Sequence, residues 1–347
     1  MVVDLSFFNG AKVAITGGGG TVGKELGRQL LALGASEIRA LDNSEIALWD
    51  LEGDNSDERL IAFLVDITKE DHLKRYFMDV DYVFHAAALK HVPFCEKHPQ
   101  AAIETNLHGV EAVINAALAC DVKRVLFTSS DKAVNSTNLM GATKFVGERI
   151  MTSSNNLVSK EQSTRFASTR FGNVAMSNGS VIPRFIEQIK KGRPITLTDA
   201  SMTRFMMSIE ESVKLVIDSM AIMRGGEVFV TQMPVIKIGD LAGVLVEELA
   251  DKYGHDAAHY PITITGARPG EKLYEELTTD EEVARSWEIE NMIVVLPAFR
   301  NIYGYIDYSS YENDGTLMTK VYHSHYEPAL DKAGIRDFLN NLNIFEQ

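Results

Sequence analysis

The sequence predicts an α/β protein built on a doubly wound parallel β-sheet, with a smaller lobe formed by its C-terminal half. Short apolar runs alternate with helical patterns over the first 130 residues, and a glycine cluster follows the first run. Beyond about residue 175 the segments are shorter and turn signals are more frequent. Because strands separated by helices need right-handed crossovers, they pair in parallel and are covered on both faces. This is the arrangement of a Rossmann-type domain.

The predicted elements follow one another in a regular order. The predicted strands are 12–16, 37–41, 59–65, 82–85 and 125–128, and a sixth at 165–170 would return to the same sheet. After the glycine cluster, apolar residues recur at helical spacing until Gly34, which supplies a stop. A second helical pattern covers 101–120, and a third helix starts near Asn138. We expect one domain over 1–175 and the smaller lobe over 176–347, with some chain returning to the first domain.

Composition excludes several classes of protein. The chain has 347 residues and a formal net charge of −14, so it can bury a sizeable core and is repelled by a phosphate backbone. No nucleic-acid partner is therefore expected. No run approaches the ~20 apolar residues that span a bilayer, and the first residues lack a basic region typical of a signal peptide. The two cysteines, Cys95 and Cys120, form neither a disulfide framework nor a metal quartet. We expect a cytoplasmic protein without a metal site.

The glycine cluster predicts a cofactor site. Gly17, Gly20 and Gly23 stand in a GxxGxxG spacing between a predicted strand and a predicted helix. A plain strand-to-helix turn is the alternative interpretation. Glycine lets the backbone approach a pyrophosphate closely, and the helix start presents unpaired N–H groups to the anion. The flanking strand and helix are those that this mechanism requires, so we expect a bound dinucleotide.

An acidic residue at the end of the second predicted strand indicates which dinucleotide is bound. Asp42 lies 19 residues after Gly23, where a carboxylate can accept hydrogen bonds from the adenosine ribose and repels a 2′-phosphate. NAD is therefore favoured over NADP, although Asn43 and Ser44 could soften the preference. Asp66 and Ile67, at the end of the third strand, are placed near the adenine; a strand-end cap is their alternative role.

A second constellation follows the fifth predicted strand. Ser130, Asp131 and Lys132 end that strand, and Lys144 follows on the next helix. This order and spacing resemble the extended short-chain dehydrogenase/reductases, which place a Ser or Thr at this strand end and Tyr-x-x-x-Lys on the helix. In this chain Met140 takes the place of the tyrosine. A thioether has no proton to give, so the phenolate base of that family is missing.

Further motifs narrow the resemblance. They are HAAALKHVP (85–93), SDKAV (130–134), NLMGATK (138–144), RFGNV (170–174), NGSVIP (178–183), MTRF (202–205) and RPGEK (268–272). Together they resemble one branch of that family, the nucleotide-sugar 4,6-dehydratases that act on UDP-N-acetylglucosamine. The resemblance covers residues 10–280 and does not extend beyond residue 295.

The resemblance implies a redox-neutral reaction. The sugar is oxidised at C4, loses water across C5 and C6, and regains the hydride at C6. It implies that Asp131 is the acid for the C6 hydroxyl, Lys132 the base at C5, Ser130 a partner of the C4 oxygen, and Lys144 a cation at the nicotinamide ribose. The C4 proton would leave through Asp131, Lys132 or water. Methionine at position 140 is similar to members that retain the C5 configuration, and plain core packing is its alternative role.

The resemblance also implies binding residues. Arginines match phosphate oxygens bidentately, a carboxylate can accept from the uridine ribose, and apolar residues wall the uracil. The implied cofactor-binding residues are Thr16, Gly17, Gly20, Thr21, Val22, Gly23, Asp42, Asn43, Ser44, Asp66, Ile67, Ala86, Ala87, Ala88 and Lys144. The implied substrate-binding residues are Lys90, Asn173, Val181, Pro183, Thr198, Arg204, Arg268 and Glu271. Asn106 is expected to be structural, through a backbone bond to the active-site strand.

The sequence leaves two other functions open. A UDP-sugar 4-epimerase on the same scaffold needs a base at C4 but no acid and base at C5 and C6, so Asp131 and Lys132 argue against it. A catalytically silent NAD-sensing protein would lose the tyrosine first, but here Asp131, Lys132 and Lys144 are kept. Homo-oligomerisation through helices at 101–120 and 138–150 is a further expectation from the family, although their apolar faces could equally be core.

Overall fold

The computed structural model describes residues 3–158, 164–177, 179–266 and 270–346. The chain forms two compact units, each made of three segments. The chain first leaves unit 1 after Phe171. The boundary predicted from the sequence is four residues later, at residue 175. Unit 1 consists of Met1–Phe171, Glu210–Gln232 and Thr279–Val321, and unit 2 of Gly172–Ile209, Met233–Thr278 and Tyr322–Gln347.

Strands and helices are numbered along the chain. The strands are β1 Lys12–Thr16, β2 Glu37–Asp42, β3 Leu60–Leu64, β4 Tyr82–His85, β5 Arg124–Ser130, β6 Arg165–Phe171, β7 Asn173–Val174, β8 Ile195–Leu197, β9 Thr203–Met207, β10 Val228–Thr231, β11 Val235–Lys237, β12 Ile262–Ile264, β13 Ser286–Ile289, β14 Met292–Val295 and β15 Thr316–Leu317. The helices are α1 Thr21–Ala32, α2 Glu45–Asp54, α3 Glu70–Phe77, α4 Val92–Lys97, α5 Pro99–Ile103, α6 Gly109–Ala119, α7 Leu139–Ser154, α8 Val181–Lys190, α9 Ile209–Ile222, α10 Ile238–Leu249, α11 Asp280–Val283, α12 Ser309–Asp314 and α13 Lys332–Asn341.

Unit 1 is built on one large sheet. Its strand order over the described residues is β15-β13-β14-β10-β6-β5-β4-β1-β2-β3. All pairs from β3 to β10 are parallel, and β14, β13 and β15 extend the sheet with antiparallel pairs. The predicted fold class is confirmed, and the predicted sixth strand lies beside β5. The order reverses between β1 and β4, and ligands of such sheets bind at the carboxyl ends of strands at a reversal.

Local sequence explains the elements at this reversal. All four residues of β4 are buried, as expected for a strand that is covered on both faces. Helix α1 buries Leu26 and Leu30 completely. It is followed by Gly34 at φ 89°, a conformation that glycine adopts without steric cost. Helix α7 begins where predicted, because the side chain of Asn138 accepts a hydrogen bond from the backbone N–H of Gly141 at 2.9 Å.

The predicted helix over 101–120 is interrupted. A π-helical segment, Glu104–His108, separates α5 from α6. The extra residue of a π turn rotates the side chains that follow, and such segments are frequent at functional sites. Apolar periodicity predicts the helix but not this local widening.

Unit 2 has its own core. Helices α8 and α13 pack against α10. Strand β9 pairs with β7 and β11, and β8 pairs with β12. The core residues from the three helices include Phe185, Leu241, Leu245, Ile335 and Leu339. Unit 2 therefore has a hydrophobic cluster of its own.

Within the described ranges, no helix is both long enough and apolar enough to cross a membrane.

Candidate active site

The glycine-rich turn after β1 has the shape that a pyrophosphate requires. Gly17 adopts φ 72°, and a Cβ atom on it would lie 2.7 Å from the backbone nitrogen of Ala87. A Cβ atom on Gly23 would lie 2.2 Å from the carbonyl oxygen of Gly17. Gly20, the exposed N-cap of α1, makes no side-chain capping bond. The first turn of α1, with Thr21 and Val22, therefore offers backbone N–H groups and the positive helix end to an anion.

Beneath this turn, a buried contact joins the carboxyl ends of β1 and β4. Thr16 Oγ1 lies 2.6 Å from His85 Nδ1, and the N–H of Ala87 donates to the same hydroxyl at 3.4 Å. Both Thr16 and His85 are fully buried. Burial, together with the charge of Lys144, lowers the pKa of His85 to about 3. His85 is therefore neutral, and the side chain of Thr16 fixes the turn from below.

Asp42 binds the glycine-rich turn itself. Its carboxylate accepts from the N–H of Gly19 at 3.1 Å and from the N–H of Ser44 at 3.0 Å. Ser44 in turn caps α2 by accepting from the N–H of Ala47, and Asn43 is exposed. A carboxylate has about four acceptor positions, so Asp42 can still accept from ribose hydroxyls.

The residues expected near the adenine have local structural partners. Asp66 accepts from the N–H and the hydroxyl of Thr68 at 2.9 and 2.8 Å, which is the strand-end cap named as its alternative role. Ile67 is 6% exposed and belongs to the core of unit 1. Ala86, Ala87 and Ala88 are half-buried in the segment after β4.

The end of β5 brings three of the expected catalytic residues into direct contact. Asp131 lies in a short 3-10 helix, Asp131–Ala133, and is 3% exposed. Ser130 Oγ donates to Asp131 Oδ1 at 2.6 Å, and Lys132 Nζ donates to both carboxylate oxygens at 3.0 Å. Lys132 keeps about a third of its side chain exposed, 34%. A hydroxyl, a buried acid and an accessible amine therefore share one hydrogen-bonded group.

Lys144 is buried beside this group, on α7. Its Nζ atom donates to the carbonyl oxygen of Thr128 at 2.8 Å and lies 4.5 Å from the ring centre of Phe127. The residue is 6% exposed. Burial lowers the pKa of Lys144 to about 8, and the nearby carboxylate of Glu148 opposes that shift. The pKa of Lys144 therefore lies below that of a surface lysine.

Met140 lies one helical turn before Lys144, in an apolar cluster. It is 3% exposed and packs with Cys95 and Ala102, which are fully buried. This environment matches the core-packing role given above as the alternative for Met140. The side chain supplies no proton and excludes water from the start of α7.

Asn106 lies in the π-helical segment and is confirmed as a residue with backbone bonds. Its amide binds both the N–H and the carbonyl oxygen of Leu89, at 2.8 and 3.0 Å, and donates to Thr143 Oγ1 at 3.0 Å. The bonds reach the segment after β4 rather than strand β5. Lys90, next to Leu89, is exposed.

The expected substrate residues of unit 2 converge on a glutamate that sequence reasoning missed. The Asn173 amide donates to both oxygens of Glu275, at 3.0 and 2.9 Å. Arg204 Nε lies 3.2 Å from Glu275 Oε1, and its other nitrogens donate to the carbonyl oxygens of Thr203 and Lys272. Each nitrogen of the Arg204 guanidinium thus has a partner in unit 2.

Two of the remaining expected residues of unit 2 contact each other. Thr198 Oγ1 donates to Glu271 Oε1 at 3.5 Å. Val181 and Pro183 are half-buried at the start of α8, and Arg268 lies outside the described residues. The C-terminal segment contributes Ser324, which exchanges hydrogen bonds with the backbone of Glu275 at 2.9 Å. Glu275 lies three residues beyond the RPGEK motif, so no motif indicated it.

Comparison with known proteins identifies relatives over nearly the whole chain. A protein of Methanocaldococcus jannaschii, named an uncharacterized membrane protein, is 44% identical over 345 residues, 99% of each chain. A UDP-N-acetylglucosamine 4,6-dehydratase (inverting) of Campylobacter jejuni is 36% identical over 304 residues, 87% of each chain. A UDP-glucose 4-epimerase of Rickettsia canadensis is 34% identical over 340 residues, 96% of each chain.

A solved structure agrees with the fold. The X-ray structure of Pen from Bacillus thuringiensis matches with a TM-score of 0.89 at 37% identity, over 97% of this chain and 99% of that one. The family model described as "Polysaccharide biosynthesis protein" matches residues 13–297. The chain therefore belongs to the polysaccharide biosynthesis protein family, a branch of the extended short-chain dehydrogenase/reductases.

Proposed function

We propose that the protein is an NAD-dependent UDP-N-acetylglucosamine 4,6-dehydratase that yields the 4-keto-6-deoxy sugar. The observation that carries the proposal is the contact of Ser130, buried Asp131 and Lys132 at the end of β5. Elimination of water across C5 and C6 needs an acid and a base side by side, and these residues provide both. The name of the Campylobacter jejuni relative supports this reaction and this substrate.

The turn after β1 fits a dinucleotide. The backbone N–H groups at the start of α1 would hold the pyrophosphate, and Asp42 would accept from the adenosine ribose. When bound, a nicotinamide cofactor supplies the acceptor, and later the donor, of the hydride exchanged with the sugar. Charged Lys144 would hold the nicotinamide ribose and favour an alkoxide at C4.

The residues at the end of β5 can move protons in a closed sequence. Ser130 would accept the proton of the C4 hydroxyl and pass its own hydroxyl proton to Asp131. The two side chains already share a 2.6 Å hydrogen bond. Protonated Asp131 no longer balances the charge of Lys132, so the ammonium would release a proton to bulk water through its exposed part. The neutral amine that results can remove the C5 proton. Asp131 then protonates the departing C6 hydroxyl, which leaves as water. Lys132 returns a proton to C5 when the hydride reaches C6, and it then takes up a proton from water to restore its ion pair with Asp131.

The cofactor preference is tested at Asp42. We expect Asp42→Ala to shift the ratio of NAD to NADP affinity toward NADP by about tenfold, because the repelling charge is lost. Both absolute affinities should fall, since the bonds to Gly19 and Ser44 are lost as well. Calorimetric titration with both dinucleotides measures the ratio. Glu52→Ala, which removes an exposed carboxylate on α2, is the control. An unchanged ratio in Asp42→Ala would remove Asp42 from the cofactor site.

Proton NMR in deuterated water tests the reaction itself. Incubation with UDP-N-acetylglucosamine, first without and then with added NAD, should give a 6-methyl signal, a 4-keto or hydrated sugar, and deuterium at C5. We expect coupling constants that show retention at C5, as the resemblance at Met140 implies. An unchanged spectrum with NAD present would contradict the dehydratase assignment.

A UDP-sugar 4-epimerase is the second candidate. It is favoured by the Rickettsia canadensis relative, which covers 96% of this chain and bears that name. The same NMR experiment separates the two, because an epimerase changes the configuration at C4 and leaves C6 oxygenated. The expected homo-oligomer stays a prediction, and light scattering of the purified chain checks it.

A further inference from the structure

Three charged side chains form a buried cluster in unit 1. Arg170, on β6, donates through Nε and Nη2 to the carboxylate of Glu148 at 2.8 and 2.6 Å. Through Nη1 and Nη2 it also donates to the carboxylate of Glu282 at 2.8 and 2.9 Å. The three side chains are only 1–2% exposed. The proposed reaction gives none of them a role.

The cluster contains more negative than positive charge. One guanidinium lies between two carboxylates, which leaves an excess of one negative charge in a buried place. Arg285 Nη2 is 3.9 Å from Glu282, but it is itself paired with Glu281. Buried charges are costly unless they are balanced. Lys144 is the buried cation one helical turn before Glu148 on α7.

The spacing of Lys144 and Glu148 places them as neighbours. Residues four apart on a helix lie on the same face, where opposite charges attract. The attraction is stronger in a buried environment than in water. Arg170 and Glu282 fix the carboxylate of Glu148 in place, so its charge acts on Lys144 at a constant distance.

We propose that Glu148 is a positioning residue that keeps Lys144 in its charged form, with Arg170 and Glu282 holding the Glu148 carboxylate. The inference rests on the proposed function, since charged Lys144 is taken as the working form. The buried cluster of Glu148, Arg170 and Glu282 would thus support a residue that contacts the cofactor.

Other groups around Lys144 do not replace Glu148. His85, on β4, has a pKa lowered to about 3 and stays neutral. Strand β5 presents the Thr128 carbonyl oxygen and the Phe127 ring. Asp131 and Lys132, in the 3-10 helix that packs against α7, are bonded to each other.

The direction of the effect follows from these contacts. Burial lowers the pKa of Lys144 to about 8, and Glu148 raises it against burial. A working form that needs the proton is present below this pKa and is lost as the pH rises through it. Removal of the Glu148 charge therefore moves the loss to lower pH.

The experiment titrates Lys144 directly in the full chain. Lysine labelled with ¹³C at Cε is incorporated, the Lys144 signal is identified by its disappearance in Lys144→Met, and its shift is followed from pH 6 to 10. Glu148→Gln should move the midpoint down by about one pH unit. Glu282→Gln is the matched control, because it removes a carboxylate from the same guanidinium and should move the midpoint by less than half as much.

Glu148→Gln keeps Arg170 bonded to Glu282, so we expect it to fold, as a thermal melt will show. Glu148→Asp, which restores the charge, is the second variant and should bring the midpoint back toward the native value. Equal shifts in Glu148→Gln and Glu282→Gln, or no shift in Glu148→Gln, would overturn the proposal. The titration uses no sugar. If Glu148→Gln shows the shift while the native chain shows no turnover, the dehydratase is refuted and the role of Glu148 is kept.

Discussion

Replacement of Asp131 by asparagine should lower turnover of UDP-N-acetylglucosamine by about 10²–10⁴-fold, the usual contribution of a positioned acid. Asparagine has nearly the shape of aspartate and can still accept from Ser130 and Lys132. It cannot take up and release a proton, so the C6 hydroxyl would have to leave without acid assistance. Turnover is measured by the appearance of the 6-methyl signal.

Two controls separate this loss from misfolding. The affinity of Asp131→Asn for NAD should stay within about threefold of native, less than 1 kcal/mol, because Asp131 lies outside the glycine-rich turn. Glu52→Gln, which alters an exposed carboxylate on α2, should leave turnover unchanged. If Asp131→Asn retained more than about a tenth of native turnover, the acid assignment would be wrong.

Replacement of Gly23 by alanine should weaken NAD binding by roughly 5–150-fold, because overpacking typically costs about 1–3 kcal/mol. The added Cβ atom would lie 2.2 Å from the Gly17 carbonyl oxygen and 2.7 Å from Gly18 Cα. Both contacts are with backbone, so the turn must open rather than a side chain move. An opened turn no longer brings its N–H groups to the pyrophosphate.

The matched control is Gly53→Ala. Gly53 lies in α2, and an added Cβ atom there meets nothing within 4 Å. Alanine at this position should keep NAD affinity and stabilise the helix by up to about 1 kcal/mol. Calorimetric titration measures the affinity and a thermal melt measures stability. NAD affinity within about threefold of native in Gly23→Ala would mean that the turn does not hold the dinucleotide.

The parallel sheet could be predicted from the sequence because its signals are local. Residues 82–85 form β4 as predicted, since an apolar run between turns has few alternatives. The predicted strand at 125–128 extends in the structure to Arg124–Ser130, because its polar final residues pair with β6. Burial of a serine against a neighbouring strand leaves no mark in apolar periodicity.

The antiparallel extension of the sheet was missed for a different reason. Strands β13 and β14 form a hairpin around Glu290, a non-glycine residue at φ 52° that no turn signal indicates. Strand β14 pairs with β10, which lies about 60 residues earlier in the chain. Such a register depends on the whole fold rather than on neighbouring residues.

Charged partners were the least predictable part of the site. Arg204 is expected to bind phosphate, and that role stays a prediction; its motif did not indicate that its nitrogens are bonded within unit 2. Glu275 and Arg170 are buried, although charged residues are usually predicted to be exposed. Whether an arginine faces a ligand or a carboxylate is decided by tertiary contacts that no motif spacing encodes.

The alternation of segments between the two units has a consequence for synthesis on the ribosome. Unit 1 needs strands from Thr279–Val321, and unit 2 needs helix α13 from Tyr322–Gln347. Neither unit is therefore complete until almost the whole chain has emerged. The edge of β6 that pairs with β10 stays unpaired until β10 has been synthesised. Unpaired edges of this kind promote aggregation. A truncation before Thr279 would consequently remove a segment from both units, whereas one within Tyr322–Gln347 would remove a segment of unit 2.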